Sequence, residues 1–218
     1  MTLDARPGEV TVIVGPNGSG KSTLLKTIAG LTSIYQGKIE VDGHDLTGLA
    51  SHKIARSGIA YLPQTDNVFT NLTIAENLRL AAYTVDSESY GTRLTRIFQT
   101  FPQLSAYTKS KAVNLSGGER QMLAMALALM REPNVIMFDE PTANLAPKIA
   151  TQVLNIISSL AKEIRLTILL AEQNAKRALE IGNSAYLLVG GKNAFTGTAR
   201  ELLDHKELGR LYLGVLAS

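Results

Sequence analysis

The stretch Gly15-Pro16-Asn17-Gly18-Ser19-Gly20-Lys21-Ser22 decides the fold of this chain. It follows a short apolar run, Val10 to Val14, which predicts a buried strand, and it leads into Ser22 to Leu31, whose apolar spacing predicts a helix. The stretch fits the pattern G-x-x-x-x-G-K-[ST] in the strand–loop–helix context that confirms it. Its glycines let the backbone curl, so that N–H groups and the helix N-terminus together form an anion site.

This loop predicts how a nucleotide is held. Lys21 reaches the β- and γ-phosphates, the Ser22 hydroxyl is a ligand of Mg²⁺, and Thr23 supports the side of the α-phosphate. The alternative is a glycine-rich turn with a solvated lysine, which is disfavoured because motif and context agree. We therefore expect ATP and Mg²⁺ here, bound by the loop residues Gly15, Pro16, Asn17, Gly18, Ser19, Gly20, Lys21, Ser22 and Thr23.

A pair of acids follows a second apolar strand. The run Val135 to Phe138 leads into Asp139 and Glu140, and an Asp at the carboxyl end of a parallel strand lies where ligands bind. Asp139 is expected to hold Mg²⁺ directly or through water, and Glu140 to polarise the attacking water. The alternative is that these acids cap the helix that begins near Pro147. The phosphate loop upstream favours the catalytic interpretation.

A second glycine motif, Leu115-Ser116-Gly117-Gly118-Glu119, precedes another predicted helix, Glu119 to Met130. Ser116 is a good N-cap residue, so plain capping and phosphate binding both stay open for this motif when it is taken alone.

Composition narrows the class of protein. The 218 residues suit one core with a subdomain, 45% of them are hydrophobic, and the net charge is +3 without a dense Lys/Arg run, so no nucleic acid partner is expected. Cysteine is absent, which excludes disulfides and thiolate metal sites. There is no secretion signal pattern, and no apolar run approaches the roughly 18 residues of a membrane span. We expect an intracellular chain that reaches a membrane only by docking on another protein.

Strands and helices alternate along the chain, which predicts an α/β fold with a mainly parallel sheet flanked by helices. Residues 73–109 interrupt this alternation with a more polar helical pattern. We predict a single domain, residues 1–218, with a helical subdomain inserted at about residues 66–118. The predicted strands are Val10 to Val14, Lys38 to Val41, Ile59 to Leu62, Val135 to Phe138, Thr167 to Ala171 and Ala185 to Val189.

Taken together, these motifs resemble the ATP-binding subunits of ABC transporters over essentially the whole chain. Gln64, in Leu62-Pro63-Gln64, looks like the Q-loop glutamine of that family, and Asn71 to Leu78 looks like the family's entry to its helical subdomain. The resemblance implies a P-loop NTPase fold in which two domains pair head to tail. The phosphate loop of one domain and the Ser116-Gly117-Gly118 motif of the other would then close on the same ATP, with Gln64 sensing Mg²⁺ and the γ-phosphate.

A narrower resemblance points to branched-chain amino acid importers. It is carried by Met122 to Ala126, Asn144 to Pro147, Ala171 to Ala175 and Leu211 to Gly214. It implies a hydrolytic subunit that drives amino acid import through separate membrane-spanning permease subunits. Such a subunit lies at the cytoplasmic face of the cell membrane.

Two positions depart from the wider family pattern. Most members have Asp where this chain has Ala146, and most have a switch histidine where it has Gln173. Glutamine can hydrogen-bond a γ-phosphate but carries no proton or charge. We hypothesise a catalytic set of Lys21, Glu140 and Gln173 in an asymmetric heterodimer whose partner ATPase supplies a histidine. The histidines His44, His52 and His205 are expected at the surface.

The start of the chain is a third departure. Family members usually carry a longer segment before Pro7-Gly8-Glu9, with an aromatic residue that stacks on adenine. Tyr35 follows the phosphate-loop helix and is not expected to replace it. We therefore expect a truncated N-terminal antiparallel β subdomain with an exposed edge, which reflects either a start codon assigned too late or a shortened product.

Two alternative functions stay open on the sequence. One is an ABC ATPase that acts outside transport, although the long coiled-coil insertion of DNA-repair members and the second domain of translation members are both missing. The other is a regulatory module that holds ATP without turnover. The intact Lys21, Asp139 and Glu140 argue against this module, and the expected truncation of the N-terminus argues for it.

Overall fold

A six-stranded sheet forms the centre of the computed structural model, which describes residues 1–65 and 67–205. The strand order is β4-β5-β6-β1-β7-β8, and every neighbouring pair is parallel except β7 with β8. The strands are β1 (Val10–Val14), β2 (Glu40–Val41), β3 (His44–Asp45), β4 (Ile59–Leu62), β5 (Val135–Asp139), β6 (Thr167–Glu172), β7 (Ser184–Val189) and β8 (Lys192–Thr198). The helices are α1 (Lys21–Ile28), α2 (Ser51–Arg56), α3 (Ile74–Ala81), α4 (Ser87–Thr100), α5 (Pro102–Ser105), α6 (Gly117–Leu129), α7 (Pro147–Glu163), α8 (Ala175–Ile181) and α9 (Ala199–Asp204).

Helices cover the sheet on both faces, as the continuous apolar strands predict. Successive strand side chains point to opposite faces, so β5 sends Phe138 into one core and Met137 into the other. The larger core contains Phe138 and Leu123 of α6 and is the side on which α7 packs. The smaller core holds Met137 with Leu25 of α1. This alternation determines which face each functional side chain at the strand ends reaches.

The predicted helical interruption is confirmed as three helices, α3, α4 and α5. Thr73 and Glu76 form a reciprocal capping box that begins α3, and Asp86 caps α4 by accepting from the Ser89 N–H. Buried residues of this segment, among them Phe101, join the larger core. The boundaries of the subdomain, residues 66–118, stay a prediction, and Asp66 lies outside the described residues.

The predicted strands are confirmed at β1, β4, β5, β6 and β7, and the structure adds elements that the pattern did not predict. The predicted helix to Leu31 is too long, because α1 ends at Ile28 and Gly30 turns with φ 68°. The strand predicted from Lys38 begins only at Glu40. The hairpin strand β8 was missed because most of its residues are exposed and lack the apolar alternation of a half-buried strand. The other unpredicted elements are α2, β3 and α9.

The small antiparallel sheet consists of β2 and β3, joined by a turn at Asp42-Gly43 where both residues have positive φ. His44, His52 and His205 are exposed, as expected. None of the helices in residues 1–65 and 67–205 is long and apolar enough to cross a membrane. The sequence motif Leu211 to Gly214 falls outside the described residues.

Candidate nucleotide-binding site

The carboxyl ends of three adjacent strands meet at the phosphate loop. In the register of the sheet, Val14 of β1 lies beside Glu172 of β6, and Ala171 lies beside Asp139 of β5. The loop that leaves β1 and the acids that end β5 therefore lie on either side of β6. Parallel strand topology brings residues 15–23 and 139–140 together, although more than a hundred positions separate them in the sequence.

The loop needs glycine at its first position. Gly15 has φ 152°, and a Cβ atom there would lie 2.1 Å from the carbonyl oxygen of Leu188 and 2.8 Å from Ser19 Oγ. Neither distance is possible for a real Cβ, so the close approach of β7 to the loop excludes a side chain. The Gly191 N–H donates to the Ser19 carbonyl oxygen at 3.0 Å, which ties the loop to the β7–β8 turn.

The lysine of the loop is buried, with 4% of its surface exposed. Lys21 Nζ donates to the carbonyl oxygens of Gly15 at 3.0 Å and Pro16 at 3.3 Å, and it lies 3.6 Å from Glu140 Oε1. These contacts hold a positive charge at the base of the loop, where the helix N-terminus adds to the positive potential.

The loop fits a phosphate group. Ser19 Oγ is buried and has no hydrogen-bond partner within residues 1–65 and 67–205, which is a rare condition for a polar atom in a native fold. The first N–H groups of α1 have no intrahelical acceptors. A phosphate oxygen supplies the acceptor that both of these features lack. The residues present therefore match the ligand that the motif predicts.

The predicted magnesium ligands Ser22 and Asp139 are in contact. Ser22 Oγ donates to Asp139 Oδ1 at 2.8 Å, because the alternation of β5 turns Asp139 toward the face covered by α1. Tyr61 of β4 donates its hydroxyl to Asp139 Oδ2 at 2.9 Å. Burial, and then this hydrogen bond, raises the pKa of Tyr61, so its hydroxyl stays a donor. Hydroxyl and carboxylate oxygens are ligands that suit Mg²⁺.

Glu140 lies between Lys21 and Gln64. Gln64 Nε2 donates to Glu140 Oε2 at 3.3 Å, while Glu140 Oε1 faces the lysine ammonium. Glu140 has φ 51°, a left-handed conformation that is uncommon outside glycine, and its N–H donates to the Ala171 carbonyl oxygen at 2.9 Å. The sheet edge thus holds Glu140 in a specific, strained turn. The structure places Gln64 beside Glu140, and its role as a metal ligand stays a prediction.

The second glycine motif lies at the start of α6. Ser116 and Glu119 form a reciprocal capping box, so the capping role that the sequence left open is present. No hydrogen bond of the described part of the chain joins Ser116, Gly117 or Gly118 to residues 15–23. Ser116 and Gly117 are exposed, which leaves them available to another surface.

The two departures from the family pattern are at the surface. Ala146 is the exposed N-cap residue of α7, where an alanine offers no side-chain acceptor. Gln173 is exposed directly after β6, and its carbonyl oxygen accepts from the Ala175 N–H. A role for the Gln173 side chain in catalysis stays a prediction.

Sequence reasoning missed three residues near the acids: Tyr61, Thr142 and Glu172. Glu172 is buried at the end of β6 and accepts hydrogen bonds from Thr142. Burial raises the pKa of Glu172. The hydrogen bonds from Thr142 lower this pKa in part, and the negative charge of nearby Glu140 raises it further. The signal available in the sequence was a glutamate at the end of the apolar run from Thr167. Because an acid buried there needs a hydrogen-bond partner, its position would have indicated a structural contact.

A parallel sheet whose first strand ends in this loop, with a serine–aspartate contact and a glutamate beside the loop lysine, defines a P-loop nucleoside triphosphatase. Comparison with known proteins narrows the class. The profile of the ABC transporter family matches residues 1–143, and the chain belongs to that family. It is an ATP-binding ATPase of the cassette type, a class whose members dimerise and work with membrane permease subunits.

Similar proteins include transport subunits from archaea and bacteria. The chain is 54% identical over 216 residues to a probable branched-chain amino acid transport ATP-binding protein, LivF, of Archaeoglobus fulgidus, covering 99% of this chain and 92% of that protein. It is 37% identical to the high-affinity branched-chain amino acid transport ATP-binding protein BraG of Pseudomonas aeruginosa, covering 98% and 91%. It is 32% identical to the lipopolysaccharide export system ATP-binding protein LptB of Haemophilus influenzae, covering 98% and 89%.

Solved structures show the same fold. The ADP conformation of MJ1267, an ATP-binding cassette of an ABC transporter, superposes with a TM-score of 0.87 at 26% identity, covering 96% of this chain and 89% of that one. A dimeric post-hydrolysis state of the cassette MJ0796, bound to ADP and phosphate, superposes with a TM-score of 0.78 at 26% identity, covering 91% and 88%. The predicted P-loop NTPase fold and the resemblance to ABC ATPases are confirmed.

Proposed function

We propose that this chain is the ATP-hydrolysing subunit of an importer for branched-chain amino acids, working at the cytoplasmic face of the membrane through permease subunits. The observation that carries the hydrolytic part is the convergence of Lys21, Ser22, Asp139 and Glu140 on one loop. The solute class is supported by the two relatives that are named for branched-chain amino acid transport. The convergence of these residues argues against a module that only holds ATP, and the two relatives favour transport over an ABC ATPase that acts elsewhere.

Within the site, the roles follow from chemistry and position. Ser22, Asp139 and Gln64 would hold Mg²⁺, which when bound neutralises charge on the β- and γ-phosphates. Lys21 binds the same phosphates as a point charge. Glu140, 3.6 Å from the Lys21 ammonium, would orient and polarise the attacking water. Tyr61 orients the carboxylate of Asp139 from the side opposite Ser22.

The motif Ser116-Gly117-Gly118, whose first two residues are exposed, would complete the site of a partner cassette. Two unequal half-sites follow, because Ala146 cannot make a side-chain hydrogen bond across the dimer and Gln173 cannot carry a proton. We infer an asymmetric heterodimer whose partner supplies a histidine at the position of Gln173. The dimeric cassette structure among the similar proteins supports pairing as such.

A permease helix would dock in the open cleft between β4 and the helical insertion. The cleft, of about 570 Å³, is lined by the side chains of Leu31, Phe69, Leu80 and Tyr83, all large, apolar and exposed. Exposed apolar side chains that cluster in this way mark interaction sites. The cleft begins at Pro63, next to Gln64, so docking and the state of Glu140 are linked through adjacent residues. We propose residues 66–118 as the helical subdomain that forms the far wall of this cleft.

Substitution of the water-polarising group tests the hydrolytic proposal. Glu140→Gln is expected to slow ATP turnover by about 10²-fold or more while ATP is still bound, because the amide cannot polarise water as a carboxylate does. Lys21→Ala serves as the contrasting variant and is expected to weaken ATP binding itself. Turnover by Glu140→Gln at the parental rate would refute the role of Glu140.

The partner and the solute need separate measurements. ATPase activity of the chain alone is compared with its activity beside a candidate partner cassette that carries the histidine. Full activity alone would refute the heterodimer. Uptake of leucine, isoleucine and valine by vesicles with the assembled permease tests the solute class. ATP-driven movement of lipopolysaccharide instead would place the chain with its export relatives.

A further inference from the structure

Glu172 is a buried acid that the proposed hydrolysis does not use. It ends the central strand β6 and is 2% exposed. Ile168 and Leu170 of the same strand lie in the larger core, so the period of the strand puts Glu172 on that face. Asp139 lies on the opposite face with α1. Glu172 is therefore excluded from the magnesium position and faces the segment that leaves β5 for α7.

The Glu172 carboxylate is bonded to Thr142, two residues after Glu140, and it also accepts a backbone hydrogen bond from Gln173. Glu172 Oε1 accepts from the Thr142 N–H at 3.0 Å and from its hydroxyl at 2.8 Å. Both donors converge on one oxygen, so the contact fixes the backbone of Thr142 as well as its side chain. The Glu140 N–H is bonded to Ala171, next to Glu172, so the end of β6 holds the loop at two points.

The same loop reaches the glycine motif of this chain. A Cβ atom on Gly117 would lie 3.2 Å from Leu145 Cδ2, and one on Gly118 would lie 2.4 Å from Ile149 Cγ2. Leu145 and Ile149 therefore pack directly under the start of α6. Residues 140–149 form a continuous path from the acid of this chain's own site to the motif that serves the partner's site.

From these contacts we propose that Glu172 is a positioning residue that fixes the loop at residues 140–146 through Thr142 and so couples the two ATP half-sites. This rests on the proposed function, since the second half-site exists only in the dimer. The connection consists of the two hydrogen bonds from Thr142 to Glu172 and the packing of Leu145 and Ile149 under the start of α6. A contiguous set of contacts of this kind can transmit a displacement from one half-site to the other. The oxygen acceptor performs this role, and the negative charge does not.

The distinction between acceptor and charge sets the experiment. Glu172→Ala removes the acceptor, whereas Glu172→Gln keeps an oxygen at the position of Oε1 and loses the charge. In the assembled dimer, Glu172→Ala is expected to lower kcat about tenfold, with KM for ATP within about twofold of the parent, since the phosphate loop is untouched. Glu172→Gln is expected to restore kcat to within about threefold.

Hydrogen exchange supplies a measurement independent of turnover. In Glu172→Ala, amides of residues 140–146 and 115–119 are expected to exchange faster while those of β5 stay protected, whereas Glu172→Gln matches the parent. Thr142→Val removes only the hydroxyl hydrogen bond to Glu172 and is expected to cause a smaller increase in exchange in the same segments. If Glu172→Ala does not fold, this variant tests the role of the Glu172–Thr142 contact.

Two results would overturn the inference: parental kcat and exchange in Glu172→Ala, or equal impairment of Glu172→Gln. An assembled parent dimer that does not hydrolyse ATP would instead contradict the proposed function. The exchange comparison would still decide the role of Glu172.

Discussion

The contact beneath Gly118 allows a prediction with a magnitude. In Gly118→Ala, the new Cβ would lie 2.4 Å from Ile149 Cγ2, whereas ordinary contact begins at 3.4 Å. The start of α6 must therefore move about 1 Å from α7, since packed interiors do not compress. Overpacking of this kind destabilises by about 1–3 kcal/mol, and the better helix preference of alanine offsets about 1 kcal/mol of it.

Gly117→Ala is the matched control for stability. It lies in the same first turn of α6, so the helix preference is the same in both variants. Its Cβ would meet only the flexible end of Leu145, at 3.2 Å, which can shift by a few tenths of an ångström. We expect Gly118→Ala to be less stable than Gly117→Ala by about 1–3 kcal/mol in urea unfolding.

Turnover should fall more steeply than stability. A displacement of about 1 Å in a group that positions a nucleotide can lower the rate about 10²-fold. The clash is with the β-branch of Ile149, so Ile149→Ala should recover activity in the double variant, and Ile149→Val, which keeps the γ-methyl group, should not. The assay is ATPase activity of the assembled dimer. Equal recovery by both, or parental activity of Gly118→Ala, would refute the argument.

Two further predictions concern the acids. Tyr61→Phe removes the hydroxyl that donates to Asp139, so the Mg²⁺ concentration for half-maximal ATPase activity should rise about tenfold. Tyr107→Phe, at an exposed tyrosine, is the control. An unchanged Mg²⁺ titration in Tyr61→Phe would contradict the prediction. Because burial, and then the charge of Glu140, raises the pKa of Glu172, its stabilising contribution is complete below its ordinary pKa of 4.5 and is lost as the pH rises through the raised value. Glu172→Gln should therefore gain stability over the parent as the pH rises from about 4.5, measured by urea unfolding. Parallel pH profiles would contradict this.

Much of the fold could be predicted because its elements carry local signals. The buried strand β1 reads as four apolar residues interrupted only by Thr11, and Thr73 with Glu76 marks a helix start within four residues. β8 and α2 could not be predicted in this way. β8 is an exposed edge strand that pairs because β7 precedes it across a two-glycine turn, and that pairing is not a property of its own residues.

The site divides in the same way. The phosphate loop and the pair Asp139-Glu140 were predicted because each is a contiguous motif whose chemistry follows from residue type and spacing. Tyr61 was missed because only the pairing of β4 with β5 places it beside Asp139.

By itself, then, the sequence determined the nucleotide loop, the acids, the alternation of strands and helices and the family to which the chain belongs. Tertiary structure alone decided that Asp139 faces α1 while Glu172 faces the loop toward α7, and that Leu145 and Ile149 lie under the glycine motif. The reason is physical: a strand sends alternate side chains to opposite faces, and the elements that those side chains contact on each face depend on strand order and helix packing.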